Sequence, residues 1–178
     1  DSVTYLGDGA FNGCGFTSII IPGRIGTIGV DCFSFCLNLT NAIICDGISN
    51  IDFAAFINTP LASIEIPNTV INLGDEAFDQ CWMLQNVTIG KGVQNIPVDT
   101  FALCQNLKEI FFTGDNPGIP PDLFYDNVKP DTNAVVYYLP QTAGWSSMIG
   151  GLPALLWNPM IQTTNQSFGV QNGQFGFE

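Results

Sequence analysis

Phenylalanine returns along this chain at an almost fixed interval. Phe11, Phe33, Phe56, Phe78 and Phe101 are separated by alternating steps of twenty-two and twenty-three places, and Phe124 takes the next position in the series. Other columns keep the same step. Leu6, Ile28, Ile51, Leu73 and Ile96 stand five places before each of the first five, and Val3, Ile25, Ile48, Val70 and Val93 stand eight before. Cys14, Cys36, Thr59, Cys81 and Cys104 stand three after, Leu39, Leu84 and Leu107 six after, and Ile44, Ile89 and Phe112 eleven after. In the first and third units one residue is missing between the cysteine column and the next apolar segment, so Ile19, Ile21, Ile64 and Ile66 come one place early. So short a period means that each repeat is one coil of a solenoid, touching only its neighbours. One coil has roughly six core side chains, worth about 1.5–3 kcal/mol each when buried. That does not offset about 1–2 kcal/mol for ordering each of its twenty-odd residues, so the coil must share its contacts with a stack.

Within a unit, segments such as SIEI (63–66), NVTI (86–89) and KEIFF (108–112) alternate apolar with polar residues and predict short strands in a parallel sheet. Pro22, Pro67 and Gly90 end them. The VxxI segment that follows predicts a second extended stretch. The GDxAFxxC segment predicts a short helical turn, with Asp8 and Asp75 capping its free amides and Gly7 and Gly74 supplying the bend. The fold class expected is therefore an α/β, β-rich solenoid of about five units.

Composition excludes several functions. Sixteen acidic residues against four basic ones, with no histidine, give a formal charge of −12, which repels nucleic acid and anionic membranes. No apolar run reaches the ~20 residues of a membrane span. Without histidine there is no Ser/His/Asp set, and neither a nucleophile elbow nor a phosphate loop is present, so the chain is expected to be no enzyme and to hold no cofactor or metal. The cysteine column reads as core thiols. Rungs about 4.8 Å apart also leave open a disulfide between Cys14 and Cys36 or between Cys81 and Cys104. Cys32 takes the alanine position before Phe33 and is expected inside, while Cys45 falls in a turn as the reactive thiol. Asp31, Asp52, Asp75 and Asp99 recur near the turns and read as caps, not as a calcium site. Asn38, Asn86 and Asn165 head glycosylation sequons.

Units such as NTVINLGDEAFDQCWMLQNVTIGKG resemble the BspA-like leucine-rich repeat, whose pattern runs approximately P-x-x-V-x-x-I-G-x-x-A-F-x-x-C-x-x-L-x-x-V-x-I. The resemblance covers residues 1–114 as five units of the same twenty-odd-residue length, and it departs in the third, where Thr59 and Pro60 replace the cysteine and its neighbour. It implies a right-handed leucine-rich repeat solenoid and a surface or secreted bacterial protein, and it adds adhesion, because BspA-like proteins include adhesins that bind host matrix proteins.

The repeat weakens after residue 114. Residues 115–157 read as a divergent sixth repeat interrupted by prolines from Pro117 to Pro140, with AVVYYLP as its strand and Trp145, Leu152, Leu155, Leu156 and Trp157 as a C-terminal cap. Residues 158–178 read as a hairpin about Asn172-Gly173, or a linker to a further domain. The first unit begins inside a repeat without a polar cap, so this is expected to be a fragment or to carry another subunit on its open turn.

Alternation along the strands puts two columns on the outer face. One is Ile20, Ile43, Glu65, Thr88 and Phe111; the other is Ser18, Asn41, Ser63, Asn86 and Glu109. Large apolar residues in an outward line predict a surface for a protein or glycan ligand, unless the terminal segment or a further domain folds over them. The alternative is a spacer that self-associates by stacking through its first turn.

Overall fold

The computed structural model describes residues 3–120, 123, 133–157, 168–171 and 174–177; Phe124, Asn165 and the Asn172-Gly173 turn lie outside them. The strands are β1 (Ser18–Ile21), β2 (Thr27–Ile28), β3 (Asn41–Ile44), β4 (Asn50–Ile51), β5 (Ser63–Ile66), β6 (Asn72–Leu73), β7 (Asn86–Ile89), β8 (Glu109–Phe112), β9 (Val135–Tyr138), β10 (Met148–Ile149), β11 (Leu152–Leu156), β12 (Phe168–Gln171) and β13 (Gln174–Phe177).

Each coil has three sides. On the first, β5, β7, β8, β9 and β11 pair in parallel, β10 closes antiparallel on β11, and β1 pairs with β3 in a separate two-stranded ladder. The ladder breaks between β3 and β5. Ala62 N–H still reaches Thr40 O (3.1 Å), whereas Cys45 N–H reaches Ile21 O at the other end of the β1–β3 pair (3.0 Å). Its counterpart in the third unit is Pro67, which has no N–H to give. On the second side β2, β4 and β6 form a short parallel sheet, prolonged by single bridges from Leu6 to Ile28 and from Asn72 to Asn95. Strands β12 and β13 pair antiparallel as a hairpin.

The third side corrects the expectation of a helical turn. Among the described residues the one helical segment is a 3₁₀ turn at Gly23–Ile25, and the GDxAFxxC stretches are runs of tight turns. Residues two before and two after the phenylalanine take positive φ: Gly9 and Gly13, Asp31 and Phe35, Ala54 and Asn58, Glu76 and Gln80. A helix needs consecutive right-handed residues, so alternation with left-handed ones prevents it. The freed amides turn to the next coil. Phe33 N–H donates to Ala55 O (2.8 Å) and Phe56 N–H to Ala77 O (2.8 Å), while Cys32 and Ala55 bond back within their own coils. The expected caps act differently too. Asp8 Oδ1 accepts from Val30 N–H of the next coil (3.2 Å) rather than from its own turn. Gly74 is required by proximity and not by a bend, because a Cβ there would lie 2.4 Å from Phe53 N.

Apolar columns from the three sides meet in one core. Phe11, Phe33, Phe56, Phe78 and Phe101 stack face to face, with centroids 5.3, 5.1, 5.3 and 5.5 Å apart. The last four of these rings are buried. All six cysteines are free thiols, so neither the Cys14–Cys36 nor the Cys81–Cys104 disulfide forms. Three of the column's thiols bond instead to a carbonyl of the preceding coil: Cys36 Sγ to Phe11 O (3.0 Å), Cys81 Sγ to Phe56 O (3.4 Å), Cys104 Sγ to Phe78 O (3.3 Å). Thr59 takes this place in the third unit, where its hydroxyl bonds to Phe56 O (2.8 Å). The cap is only partly as expected. Leu152 is buried, and Trp145 packs on Phe112 and Tyr138 (4.9 and 5.0 Å), but Leu155 and Leu156 are exposed because no further strand covers them among the described residues.

Phe56→Ala removes a ring stacked on both sides and is expected to cost about 3–5 kcal/mol; Phe11→Ala, at the partly exposed end, is expected to cost less. Urea titration of both variants checks the order. A thiol reagent is expected to modify Cys14 and Cys45 in the native protein and to reach buried Cys32, Cys36, Cys81 and Cys104 only on unfolding. Burial, followed by the neighbouring Cys36, pushes the Cys32 thiol up to about 11, so raising the pH to about 9 should not open that site.

Candidate binding face

The outward strand residues occupy the positions that alternation dictates. In β1 and β3, Ser18 pairs with Asn41 and Ile20 with Ile43. In the larger ladder Ser63, Asn86, Glu109 and Val135 form one row, and Glu65, Thr88, Phe111, Tyr137 and Leu155 form the next. The candidate residues thus lie on one side of the coil, in two groups separated by the β3–β5 break.

The two groups differ. Ile20 is 66% and Ile43 48% exposed, with only Ser18 and Asn41 beside them in the ladder. Phe111 is half-buried. It stacks on Tyr137 (5.0 Å) and meets the edge of Trp157 (5.4 Å), a residue from two coils further on. The large apolar residues therefore do not form one continuous line: Glu65 and Thr88 separate an aliphatic pair from an aromatic cluster. Between these, oriented so that both its polar atoms are satisfied, the Asn86 amide nitrogen donates to Glu109 Oε2 (3.3 Å) and Gln85 O (3.2 Å). The pairing holds one carboxylate beside an amide on an otherwise neutral row.

Two further surface patterns follow from the column positions. On the second sheet, Asn72 Nδ2 donates to Asn50 Oδ1 (2.7 Å) and Asn50 Nδ2 to Thr27 Oγ1 (3.1 Å), a polar ladder whose signal is Asn50, Asn72 and Asn95 at the repeat spacing. The turn side carries Asp8, Asp31, Asp52, Asp75, Glu76, Asp79 and Asp99, whereas Arg24, Lys91 and Lys108 belong to the connections around the strands. Burial, followed by Asp79, Asp99 and other carboxylates, raises the Glu76 pKa. Burial raises Asp52, with Asp8 adding to it, and burial also raises Asp79 against the opposing Gln80 hydrogen bonds. Asp79 Oδ2 accepts from Gln80 Nε2 (2.9 Å), while its buried Oδ1 has no donor. Among the described residues no group of three acidic, cysteine or histidine side chains is placed to hold a metal ion.

These shifts have a definite sign. A carboxyl whose pKa is higher folded than unfolded keeps its proton longer in the native state, so its favourable contribution is complete below the unfolded value and is lost as pH rises through the folded one. At neutral pH the three groups are therefore destabilising. Acidification from about pH 7 toward the ordinary carboxylate range near about pH 4 is expected to raise Tm, and Asp79→Asn to raise Tm at pH 7 while reducing the gain on acidification. A Tm that falls over this range in a thermal melt contradicts the assignment.

Residues 4–129 match the BspA type leucine rich repeat region in six copies. Among curated proteins no match is found. Of solved structures, the pneumococcal vaccine antigen PcpA superposes with a TM-score of 0.65 at 19% identity, over 75% of this chain and 33% of that one. The T. pallidum leucine rich repeat protein TpLRR gives 0.60 at 20%, over 77% and 67%. A leucine rich cell surface protein of Faecalibacterium prausnitzii gives 0.52 at 18%, over 89% and 46%. The chain thus spans about a third of the length of the pneumococcal antigen, and at these identities the likeness is one of fold. A short repeat whose phenylalanine and cysteine columns are buried from the second coil on, matched over more than half the chain by six copies of one repeat type, places the chain in the BspA-type leucine-rich repeat family.

Proposed function

We propose that this chain is a non-enzymatic binding module of a bacterial surface or secreted protein, engaging a protein or glycan ligand through the outer face of its strand ladder. One observation carries the reading: Ile20 and Ile43 stand about half or more exposed on strands whose hydrogen bonds hold them rigidly in register. Such residues cost solubility and contribute nothing to the core, which is how an interface anchor differs from a structural residue. The relatives' names add the setting, since one is a vaccine antigen and another a cell surface protein. The absence of histidine removes the commonest general base.

A second reading, a spacer that self-associates, has its own support. Val3, Leu6, Phe11, Ile19 and Phe33 line an apolar hollow of about 180 Å³ at the first coil, a surface that a stacked coil would cover. The Ile43→Lys and Phe111→Lys variants, assayed against immobilised matrix proteins and a glycan array, are expected to weaken binding roughly tenfold or more, with Ile43→Lys leaving Tm unchanged. Binding unaltered in both, with the fold intact, removes the sheet face from consideration. Light scattering that grows with concentration favours stacking instead.

A further inference from the structure

Strand β11 ends the ladder, and only half of its outer edge is covered. Its inner edge pairs with β9, Ala154 opposite Val136, Leu155 opposite Tyr137 and Leu156 opposite Tyr138, and Trp157 N–H donates inward to Tyr138 O (2.8 Å). Alternate amides of a strand point to opposite edges, so the amides of Ala154 and Leu156 point outward. The first is taken by Ser147 O (2.9 Å), continuing the antiparallel pairing of Met148 with Pro153 and Ile149 with Leu152. Beyond Ala154 that pairing stops, and the outward N–H and C=O of Leu156 face no strand of the ladder.

The side chains tell the same story. Through the strand register Leu156 occupies the column filled by Ile66, Ile89 and Phe112, all buried, yet it is 54% exposed. Leu155 beside it is 52% and Met148 55% exposed. An unpaired edge next to an unfilled core column is the arrangement that soluble proteins cover or charge, and no charged residue lies between Met148 and Trp157.

The chain supplies an occupant. From Trp157 it runs through residues 158–167 to the β12–β13 hairpin. A two-stranded hairpin alone is marginal in water and needs a third strand or an apolar surface. We propose that the hairpin, which stands as a separate two-stranded sheet, adds β12, in parallel, to the outer edge of β11 at Leu156, beyond the Ser147–Ala154 contact, extending the ladder and covering the column above Leu156. Leu155 comes eighteen places after its ladder partner Tyr137, and Val170 comes fifteen places after Leu155, which leaves eleven residues between the strands, at the short limit of the dozen or so of a parallel crossover. An eleven-residue connection reaches up to ~36 Å against the ~4.8 Å between neighbouring strands. The β12 and β13 sequences, FGVQ and QFGF, alternate apolar residues with glycine and glutamine, and their register sets Phe168 opposite Phe177 and Val170 opposite Phe175. An alternating hairpin of this composition is suited to covering an apolar edge on one side.

Amide hydrogen exchange and NOE spectroscopy on the full chain test the assignment. The expected result is a Leu156 amide protected about 100-fold or more over an unstructured peptide, with backbone NOEs from Leu155 and Leu156 to β12. In Val170→Pro, which deletes an amide of β12, protection at Leu156 is expected to fall at least tenfold while Val87 and Ile110 in the inner strands keep theirs. A Leu156 amide that exchanges at the free-peptide rate in the unaltered chain overturns the proposal. So does protection that survives Val170→Pro, and so does protection that appears only as the protein dimerises, which would make a second copy the occupant.

Discussion

The spacing between coils is the constraint on which the rest depends. Parallel strands lie about 4.8 Å apart, and stacked aromatic rings are comfortable at slightly more. The phenylalanine centroids, 5.1–5.5 Å apart, satisfy both distances at once. Any residue that widens one coil must strain the stack, the ladder or both. This is why the columns nearest the rings are so uniform: Ala55 and Ala77 before the phenylalanine, and cysteine or threonine three residues after it, are small groups that fit beneath a tightly stacked ring. The thiols of Cys36, Cys81 and Cys104 add a second function in the same small volume, since each bonds to a carbonyl of the preceding coil.

The turn side shows how this spacing dictates backbone conformation. To hydrogen-bond along the stack, alternate amides must point along the solenoid axis, and a helical turn would direct them back into its own coil. Left-handed residues on either side of the phenylalanine solve the problem, although Phe35 and Ala54 have no side-chain reason to adopt positive φ. Such residues cost roughly 1 kcal/mol each, and the inter-coil bonds they permit offset that. In the first unit both positions are glycine and the conformation is free of strain. That pair is the one local signal in the sequence that the segment is not helical. A single helical turn and a run of tight turns otherwise share the same small-polar-apolar pattern, so residue type alone does not separate them.

The core was legible because periodicity over five units averages out local ambiguity. Every phenylalanine assigned inward on the described coils is buried or packed on the stack. The outer columns were legible for the same reason, in that a strand has only two faces and the buried one was known. What remained hidden comes from non-repeating parts. Trp157 belongs to a coil with no counterpart in the consensus and comes back across Tyr137 to cover Phe111. The break after β3 arises where a unit one residue short meets Pro67. Leu155 and Leu156 are exposed among the described residues, and a periodic pattern, which states only what each coil buries against its neighbour, carries no signal for that.

Residues shared between units are held by the stack, so substituting one disturbs several coils, and they are poorly placed to vary with a ligand. Residues that differ between units face away from it. Across β7 and β8 the buried Val87 and Ile89 pair with Ile110 and Phe112, all apolar, while the outward Asn86 and Thr88 pair with Glu109 and Phe111. One ladder step thus changes amide to carboxylate and hydroxyl to aromatic ring without altering the core beneath. On β1 and β3 the corresponding residues are Ser18 and Ile20 beside Asn41 and Ile43. A scaffold that tolerates such exchange at one coil per step presents its outward chemistry as a row of independent positions.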